Sequence, residues 1–343
     1  MHLLLAALSV VAFPAPQEDP TAVLVVALDA YRVVAVGENH GHLEFHRWLL
    51  SALEDPRVVT RVDDIAVEWG NALYQDVVDR YVSGEDVPWD SVTMAWRNTV
   101  VSPTAVWDAP PYATFFQRVR RINAALDTSE QYRVILADAP IEWRDVETRE
   151  DAAPFFDRAR AMADNVRRLS LSRGRRSLFV AGGLHVSRRS RVRPNRHDVP
   201  TSEITPVAWL NHFHPGSVFS IQSLAREREV DAVPIAAPID GPAAWPTSAP
   251  HLADIDAARV STLRNRDGSV PDVYGRSPLS DVVDAVILWP LDARTFAEPS
   301  ADVLQIDSYW DELDRRSRIM RGQPMDPTLR GEPRGSNRPN RSN

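Results

Sequence analysis

Histidine and carboxylate side chains follow directly on several short apolar segments of the chain. Glu38 and His40 follow one segment, Glu68 and Asp138 end two others, and His185 comes just after a fourth. A histidine beside carboxylates can transfer protons in general acid–base catalysis, or it can bind a divalent metal. If the segments are neighbouring parallel strands, their carboxyl ends meet at one edge of a sheet, where ligands bind in α/β proteins. The sequence therefore predicts proton transfer or metal binding at that edge.

Three of the nine histidines, His40, His42 and His46, lie within seven positions. His42 and His46 are four residues apart, so they share a face of any helix that begins here. Such a pair can hold a divalent ion, although Glu44 does not have the offset of an HExxH motif. Solvated positions on a helix are the simpler explanation of His42 and His46. The candidate metal ligands are His40, His46, His185 and Glu68.

The carboxylates have structural explanations as well. Glu38 precedes a predicted helix, where a carboxylate can act only as a cap. Glu68 lies in a strand that should be buried, and a buried carboxylate needs a partner. The glycines beside Glu38 and His185 allow tight turns and a close approach of a ligand to the backbone. The predicted catalytic set is Glu38, His40, Glu68 and His185.

A run of arginines follows His185 closely. A solvated basic loop explains it most simply, and the functional alternative is a lip that binds a carboxylate, a phosphate or a haem propionate. Arg188 and Arg189 are the members that we assign to substrate binding. The run consists of Arg188, Arg189, Arg191, Arg193 and Arg196.

Composition excludes several classes of chemistry. The chain has no cysteine, and all 39 of its Lys/Arg positions are arginine. Thiol nucleophiles, disulfides, thiolate metal sites and lysine Schiff bases are therefore excluded. There is no GxSxG, Walker or early GxGxxG motif, which disfavours a serine-triad hydrolase and a nucleotide enzyme. The net charge of −8 argues against nucleic acid as a partner. The partners that we expect are a small-molecule substrate or haem.

The elements that must position these residues alternate between strands and helices. Continuous runs of Val, Ile, Leu and Ala indicate strands buried on both faces, and helical spacing of apolar residues separates them. The predicted strands are 32–37, 64–69, 133–138, 177–182, 217–222 and 284–289, and the clearest helices are 43–53, 112–126 and 153–173. This alternation predicts an α/β fold, with a central, largely parallel or mixed sheet that carries helices on both faces.

Residues 20–320 are predicted to form one domain that contains two irregular stretches. Residues 83–111, rich in Trp, Pro and Asp, are predicted to be an insertion over one edge of the site. Its tryptophans suit an apolar or ring-bearing ligand, or they simply pack as core. Residues 230–265 are predicted to be a long loop, and 321–343 a disordered tail.

Residues 1–15 resemble a signal peptide because a short apolar run precedes prolines and acids, although the basic start is missing. We therefore expect a secreted or periplasmic protein. A buried first segment or a misplaced start codon are the alternatives. The run is too short to span a bilayer stably, and no other segment is long enough.

The residues 33–53, VVAVGENHGHLEFHRWLLSAL, resemble the opening motif of a superfamily. It holds the erythromycin esterases, the ChaN-like haem-binding lipoproteins and the TraB/Tiki proteins. The GExH spacing from Gly37 to His40 is closest to the ChaN-like branch. Shorter resemblances follow in order at AVE (66–68), the helix motif RARAMADN (158–165), LFVAGGLHV (178–186) and DAVILW (284–289). The helix motif departs from the usual RDxxMAxN at Ala159.

The resemblance implies a shared α/β fold but not a single activity, because its members include esterases, metal-dependent proteases and haem-binding proteins. One hypothesis is a hydrolase of an ester, lactone or amide bond, in which His40 is the base and a divalent metal can assist. Asp138, Arg158 and Asn165 then support the site. The alternative is a haem- or metal-binding protein without catalysis, and a degenerate member with only a structural role is a third possibility.

Overall fold

The computed structural model describes residues 19–189, 204–226, 241–249, 252–260, 277–290 and 292–331. The predicted signal peptide at 1–15 lies outside these residues. So do Arg191, Arg193 and Arg196, much of the predicted loop at 230–265, and the last part of the predicted tail, 332–343.

A seven-stranded mixed sheet forms the centre of the molecule, in the order β3-β2-β4-β1-β5-β7-β6. Six strands run parallel, and β6 pairs antiparallel with β7 at one edge. The strands are β1 (Val33–Glu38), β2 (Asp64–Asn71), β3 (Arg133–Asp138), β4 (Ser177–Gly182), β5 (Val218–Leu224), β6 (Ala243–Pro246) and β7 (Ala285–Leu288).

Helices cover both faces of the sheet. The helices are α1 (Pro20–Ala30), α2 (Leu43–Glu54), α3 (Pro56–Val59), α4 (Gln75–Val82), α5 (Trp89–Arg97), α6 (Pro110–Asn123), α7 (Arg149–Ala152), α8 (Arg158–Leu169), α9 (Pro206–Phe213), α10 (Leu279–Val282), α11 (Ala301–Leu304) and α12 (Asp307–Arg321). Val34 and Val36 pack with α1, α2 and α6 on one face, whereas Val33 and Ala35 pack with α8 and α9 on the other. This alternation follows from the two-residue period of a strand, and it confirms the predicted α/β fold class.

All six predicted strands are present, to within two residues at each end. The strand β6 was not predicted, because it is only four residues long, ends in proline and lies in the stretch predicted as a loop. The predicted helix 153–173 is wrong in extent. It begins only at Arg158, because Asp157 caps its first turn and the residues Ala153–Phe155 form a separate 3-10 turn that contains Pro154.

The predicted insertion folds as α5 followed by two 3-10 turns, Ser102–Thr104 and Val106–Asp108. The helix α12 packs against this insertion. Beyond α12, Pro327–Arg330 form a further 3-10 turn and Met325 is buried. The predicted tail at 321–343 therefore begins within structured residues. No helix in the described part of the chain is long and apolar enough to cross a membrane.

Candidate functional site

The carboxyl ends of β1, β2 and β4 meet beside a cavity of about 420 Å³. Adjacent pairing brings them together, since Glu38 is the register partner of Gly182. The cavity is lined by Glu38, Asn39, His40, Glu68, Val101, Thr104, Val106, Trp107, Arg158, Gly182, Gly183, Leu184, His185 and Arg226. All four predicted catalytic residues therefore line one cavity.

The Glu38 carboxylate is buried and binds two histidines. Its Oε1 lies 2.7 Å from His40 Nδ1, and its Oε2 lies 3.2 Å from His46 Nε2. The Tyr112 hydroxyl donates to Oε1 at 3.1 Å and itself accepts from the Gly41 amide at 2.9 Å. Three side chains thus fix this carboxylate at the end of β1.

The neighbouring histidines keep the Glu38 carboxylate ionised. Burial raises the pKa of Glu38, but His40 and His46 outweigh burial and lower it to about 2. Burial lowers the pKa of His40, but the Glu38 carboxylate outweighs burial and holds it above the ordinary value of 6.5. Because ionised Glu38 can only accept, Nδ1 of His40 carries a proton, and Nε2 of the neutral ring is the acceptor.

The second carboxylate, Glu68, joins three elements. Its Oε1 lies 3.1 Å from His185 Nε2 and accepts from Arg158 Nη2 at 3.0 Å, while Oε2 accepts from the Gly182 amide at 2.6 Å. Arg158 Nε also donates to Asp138 Oδ1 at 2.8 Å. Arg158 therefore joins Glu68 to Asp138, the other residue that was predicted to support the site.

Charge pairing explains the ionisation of this cluster. Burial raises the pKa of Glu68, but His185 and Arg158 outweigh burial and lower it well below its ordinary range. Burial raises the pKa of Asp138 despite Arg158. Burial lowers the pKa of Arg158, but Asp138 and Glu68 outweigh it and raise the pKa, so the guanidinium stays charged.

A glycine is required where the two carboxylate clusters approach each other. A Cβ atom at Gly182 would lie 2.7 Å from His40 Cε1 and 3.2 Å from Glu68 Oε2. A Cβ at Gly183 would lie 2.2 Å from Gln222 Nε2, the far end of a flexible side chain that would have to move. The two glycines of the GGLH segment therefore make room for His40 and for the side chain of Gln222.

Several predicted residues do not line the cavity. Asn165 donates to the Ala137 carbonyl at 3.0 Å, so it holds the end of β3. The Arg188 guanidinium is paired with Asp284. Arg189 Nη2 lies 2.6 Å from Asp281 Oδ2. Substrate binding by Arg188 and Arg189 thus lacks support in the structure, because carboxylates distant in sequence already pair with them.

His42 is fully buried outside the cavity. Its Nε2 lies 2.9 Å from the Ala293 carbonyl, and its ring stacks on Phe296 with the centroids 5.2 Å apart. Burial lowers the pKa of His42. The residue anchors the start of α2 to the segment after β7.

The predicted metal set is divided between the two carboxylates. His40 and His46 face Glu38, whereas His185 faces Glu68. Over the described ranges, no group of three or more His, Asp or Glu side chains has the arrangement of a metal site. The predicted ligands therefore lie around two separate carboxylates and not around one common point, and the steps proposed below use no metal.

Three residues of the site were not predicted in their observed roles. Tyr112 reaches Glu38 from α6, Trp107 meets the His40 ring edge-on at 4.8 Å, and Arg226 lies over Phe296 at 5.1 Å. No local motif marks Tyr112 or Arg226. Trp107 was considered only as one of the tryptophans of the insertion, which were expected either to contact a ligand or to pack in the core.

No family model matches the chain, and no curated protein matches it. Among solved structures, a protein from Bacillus cereus is 11% identical and has a TM-score of 0.48, covering 78% of this chain and 90% of that one. A succinoglycan biosynthesis protein is 10% identical with a TM-score of 0.48, covering 78% and 89%. A mutant of the erythromycin esterase EreC in its open conformation is 13% identical with a TM-score of 0.43, covering 81% of this chain and 94% of that one.

Proposed function

We propose that the protein is a hydrolase that cleaves an ester, lactone or amide bond of a small molecule. The observation that carries the proposal is the hydrogen-bonded His40–Glu38 pair at the cavity. The His40 side chain is 39% exposed, whereas Glu38 is fully buried beneath it. A buried, ionised carboxylate that orients a solvent-accessible imidazole is the arrangement of a general base.

Water is the nucleophile in this proposal. Among the described residues that line the cavity, Thr104 alone has a hydroxyl side chain, and this hydroxyl donates to the Val101 carbonyl at 2.8 Å. It is therefore bound to backbone and not to a histidine. A water that donates to Nε2 of His40 can attack a carbonyl carbon without a protein nucleophile.

The proton transfers balance within the cavity. As the water oxygen bonds to the carbonyl carbon, its proton passes to His40 Nε2, and the Glu38 carboxylate stabilises the imidazolium. When the carbon–oxygen or carbon–nitrogen bond breaks, the imidazolium returns that proton to the leaving group. The Arg158 guanidinium, held by Glu68 and Asp138, supplies positive charge beside the ends of β2 and β4, and the His185 ring binds the same Glu68 oxygen.

Replacement of His40 by alanine tests the proposal. We expect His40→Ala to lower kcat/KM by about 100-fold or more, because the general base is lost. The measurement is hydrolysis across a panel of aryl esters, lactones and amides. His212→Ala is the matched control, since His212 is exposed and lies on α9. Wild-type hydrolysis that survives in His40→Ala would contradict the proposal.

Binding of haem or of a divalent metal remains a prediction of the sequence, as do the superfamily branch and export. The ordered motifs support the superfamily. An absorbance spectrum and elemental analysis of protein purified without chelator test the binding alternative. A Soret band, or a stoichiometric metal that His185→Ala removes, would favour it over metal-free hydrolysis.

A further inference from the structure

The walls of the cavity differ in polarity. The ends of β1 and β2 supply the ionised carboxylates of Glu38 and Glu68. The insertion between β2 and β3 supplies Val101 and Val106, and the 3-10 turn after β4, Gly183–Val186, supplies Leu184. These three aliphatic residues are partly exposed. The cavity therefore presents apolar surface beside its charged groups.

The same segments bury other aliphatic side chains completely. Val100 is buried in a core cluster, whereas Val101, the next residue, lines the cavity. Val186 is buried as well, whereas Leu184 of the same turn lines the cavity. Aliphatic side chains that stay partly exposed in a concave site gain free energy when an apolar group of a ligand covers them, since both surfaces then leave water.

The insertion contributes one further polar side chain to this wall, that of Thr104. Its hydroxyl donates to the Val101 carbonyl at 2.8 Å and accepts from the Val106 amide at 3.4 Å. The backbone of the insertion thus already uses this hydroxyl. A polar substituent of a ligand placed here would lose its hydrogen bonds to water without a replacement, which is unfavourable.

Contacts behind the wall hold it in place. Asp108, two residues after Val106, is buried and accepts from Arg97 Nε at 3.1 Å and from the Tyr309 hydroxyl at 2.8 Å. Trp107 is buried between them, and its ring meets the His40 ring edge-on, with the centroids 4.8 Å apart. A surface that is ordered before a ligand arrives costs less conformational entropy on binding. The wall is therefore preformed and adjoins the proposed general base.

We propose that Val101, Val106 and Leu184 form a subsite for an aliphatic group bonded to the carbonyl carbon of the substrate. This inference rests on the hydrolase function proposed above, and it names the substrate class as an ester, lactone or amide with an aliphatic acyl part. The insertion and the turn after β4 then select the substrate, while residues at the ends of β1 and β2 act on its carbonyl group. Acyl groups with a polar or charged end are poor substrates.

A series of acyl chain lengths tests the inference. The substrates are 4-nitrophenyl esters from acetate to hexanoate, and the readout is kcat/KM. Each methylene that enters the subsite leaves water, so we expect kcat/KM to rise by about fourfold per methylene over the first steps of the series. A flat or falling series would overturn the inference.

Replacement of valine by threonine exchanges a methyl group for a hydroxyl at nearly constant volume. We expect Val101→Thr and Val106→Thr each to lower the ratio of kcat/KM for butanoate to that for acetate by about threefold. Val77→Thr is the matched control, because Val77 is also partly exposed but lies on α4 and does not line the cavity. We expect it to keep the wild-type ratio. The same ratio in all three variants would refute the subsite.

A second measurement needs no turnover. The probes are linear ketones from butan-2-one to heptan-2-one, which carry an aliphatic group on a carbonyl that water cannot cleave. The readout is the methyl resonances of wild-type protein labelled with ¹³C in its valines, and the three threonine variants assign the peaks. We expect the Val101 and Val106 resonances to shift, with an affinity that rises about fourfold per methylene, while those of Val77 stay in place.

Unmoved Val101 and Val106 resonances at the solubility limit of heptan-2-one would overturn the inference. The two proposals can fail separately. Absence of hydrolysis across the whole substrate panel would refute the hydrolase function, while the resonances still decide whether the subsite binds an aliphatic group. Hydrolysis that depends on His40 but not on acyl chain length would refute only the inference.

Discussion

Glu38 shows at the scale of single residues how a buried charge can serve a site. Its side chain is inaccessible to solvent, and it accepts hydrogen bonds from His40, His46 and Tyr112. Removing a carboxylate from water is unfavourable unless donors or cations replace the water. Burial raises the pKa of Tyr112 well above 10, with the Glu38 charge adding to it, so the hydroxyl stays a donor. The partners that make burial possible also orient His40.

Replacement of Glu38 by glutamine should move the pH dependence of hydrolysis. The base form of His40 is required, so kcat/KM falls as the pH drops through the folded pKa of His40, which Glu38 raises above 6.5. The neutral amide of Glu38→Gln no longer stabilises the imidazolium. We therefore expect the acidic limb to move to lower pH by about one unit or more. The plateau should also fall, by about tenfold or more.

The measurement is kcat/KM against pH for the wild type and the variant. Glu54→Gln is the control, since Glu54 is 44% exposed and lies 2.7 Å from Arg118 at the far end of α2. We expect its profile to match that of the wild type. An acidic limb that stays in place in Glu38→Gln would show that His40 is not the titrating base.

At the scale of elements, helix α12 holds the insertion that lines the cavity. The α12 residue Arg316 is 4% exposed, and its guanidinium donates to the Arg97 carbonyl, to Asn98 Oδ1 and to the Ser102 hydroxyl. It also pairs with Glu312 on its own helix at 2.7 Å. The insertion is thereby tied to a helix about two hundred residues later in the chain.

Replacement of Arg316 by methionine should destabilise the protein. The aliphatic volume is largely kept, but three buried acceptors on the insertion lose their donor, and we expect a loss of about 3 kcal/mol in the free energy of unfolding. Urea-induced unfolding measures it. Arg318→Met is the matched control on the same helix, since Arg318 is 62% exposed and its pair with Asp314 should contribute less than about 1 kcal/mol. Equal losses in the two variants would refute this role of Arg316.

At the scale of the whole molecule, one apolar cluster joins the insertion to the sheet. Val92 and Trp96 of α5 belong to the same buried cluster as Val34 of β1 and Trp289 after β7. Removal of the insertion from this cluster would expose large apolar side chains to water. The cavity wall and the sheet are therefore expected to be parts of one cooperative unit.

Thermal or urea unfolding should accordingly show a single transition. We expect far-ultraviolet circular dichroism, which follows the helices, and fluorescence of the ten tryptophans, three of which lie in the insertion, to give coincident curves. Reversibility on refolding is the control that makes the comparison valid. Curves that do not coincide would show that the insertion and the sheet do not unfold as one unit.

The sequence alone was sufficient for features that depend on local pattern. Continuous apolar runs predicted six strands, and the polar residues at their ends included Glu38, Glu68 and His185 of the cavity. Because parallel strands run in the same direction, residues at their carboxyl ends lie at the same edge of the sheet. The hydrolase hypothesis named Asp138 and Arg158 as supporting residues, and the structure pairs them with each other.

Partners distant in sequence could not be predicted. Arg188 lies three residues after His185, yet Asp284 pairs with it from the start of β7. The position of Tyr112 depends on how α6 packs, and that of Trp107 depends on α12. No pattern within a window of residues contains such information, because these contacts form only when separate elements pack.

The sequence by itself therefore determined the fold class, the edge of the sheet that carries the site and the residue types that converge there. The tertiary structure decided which carboxylate binds which histidine. It assigned His46 to Glu38 and His185 to Glu68, so that the predicted metal ligands form two separate clusters. The physical reason is that a buried carboxylate binds the donors that packing brings within hydrogen-bond distance, and packing depends on the whole chain at once.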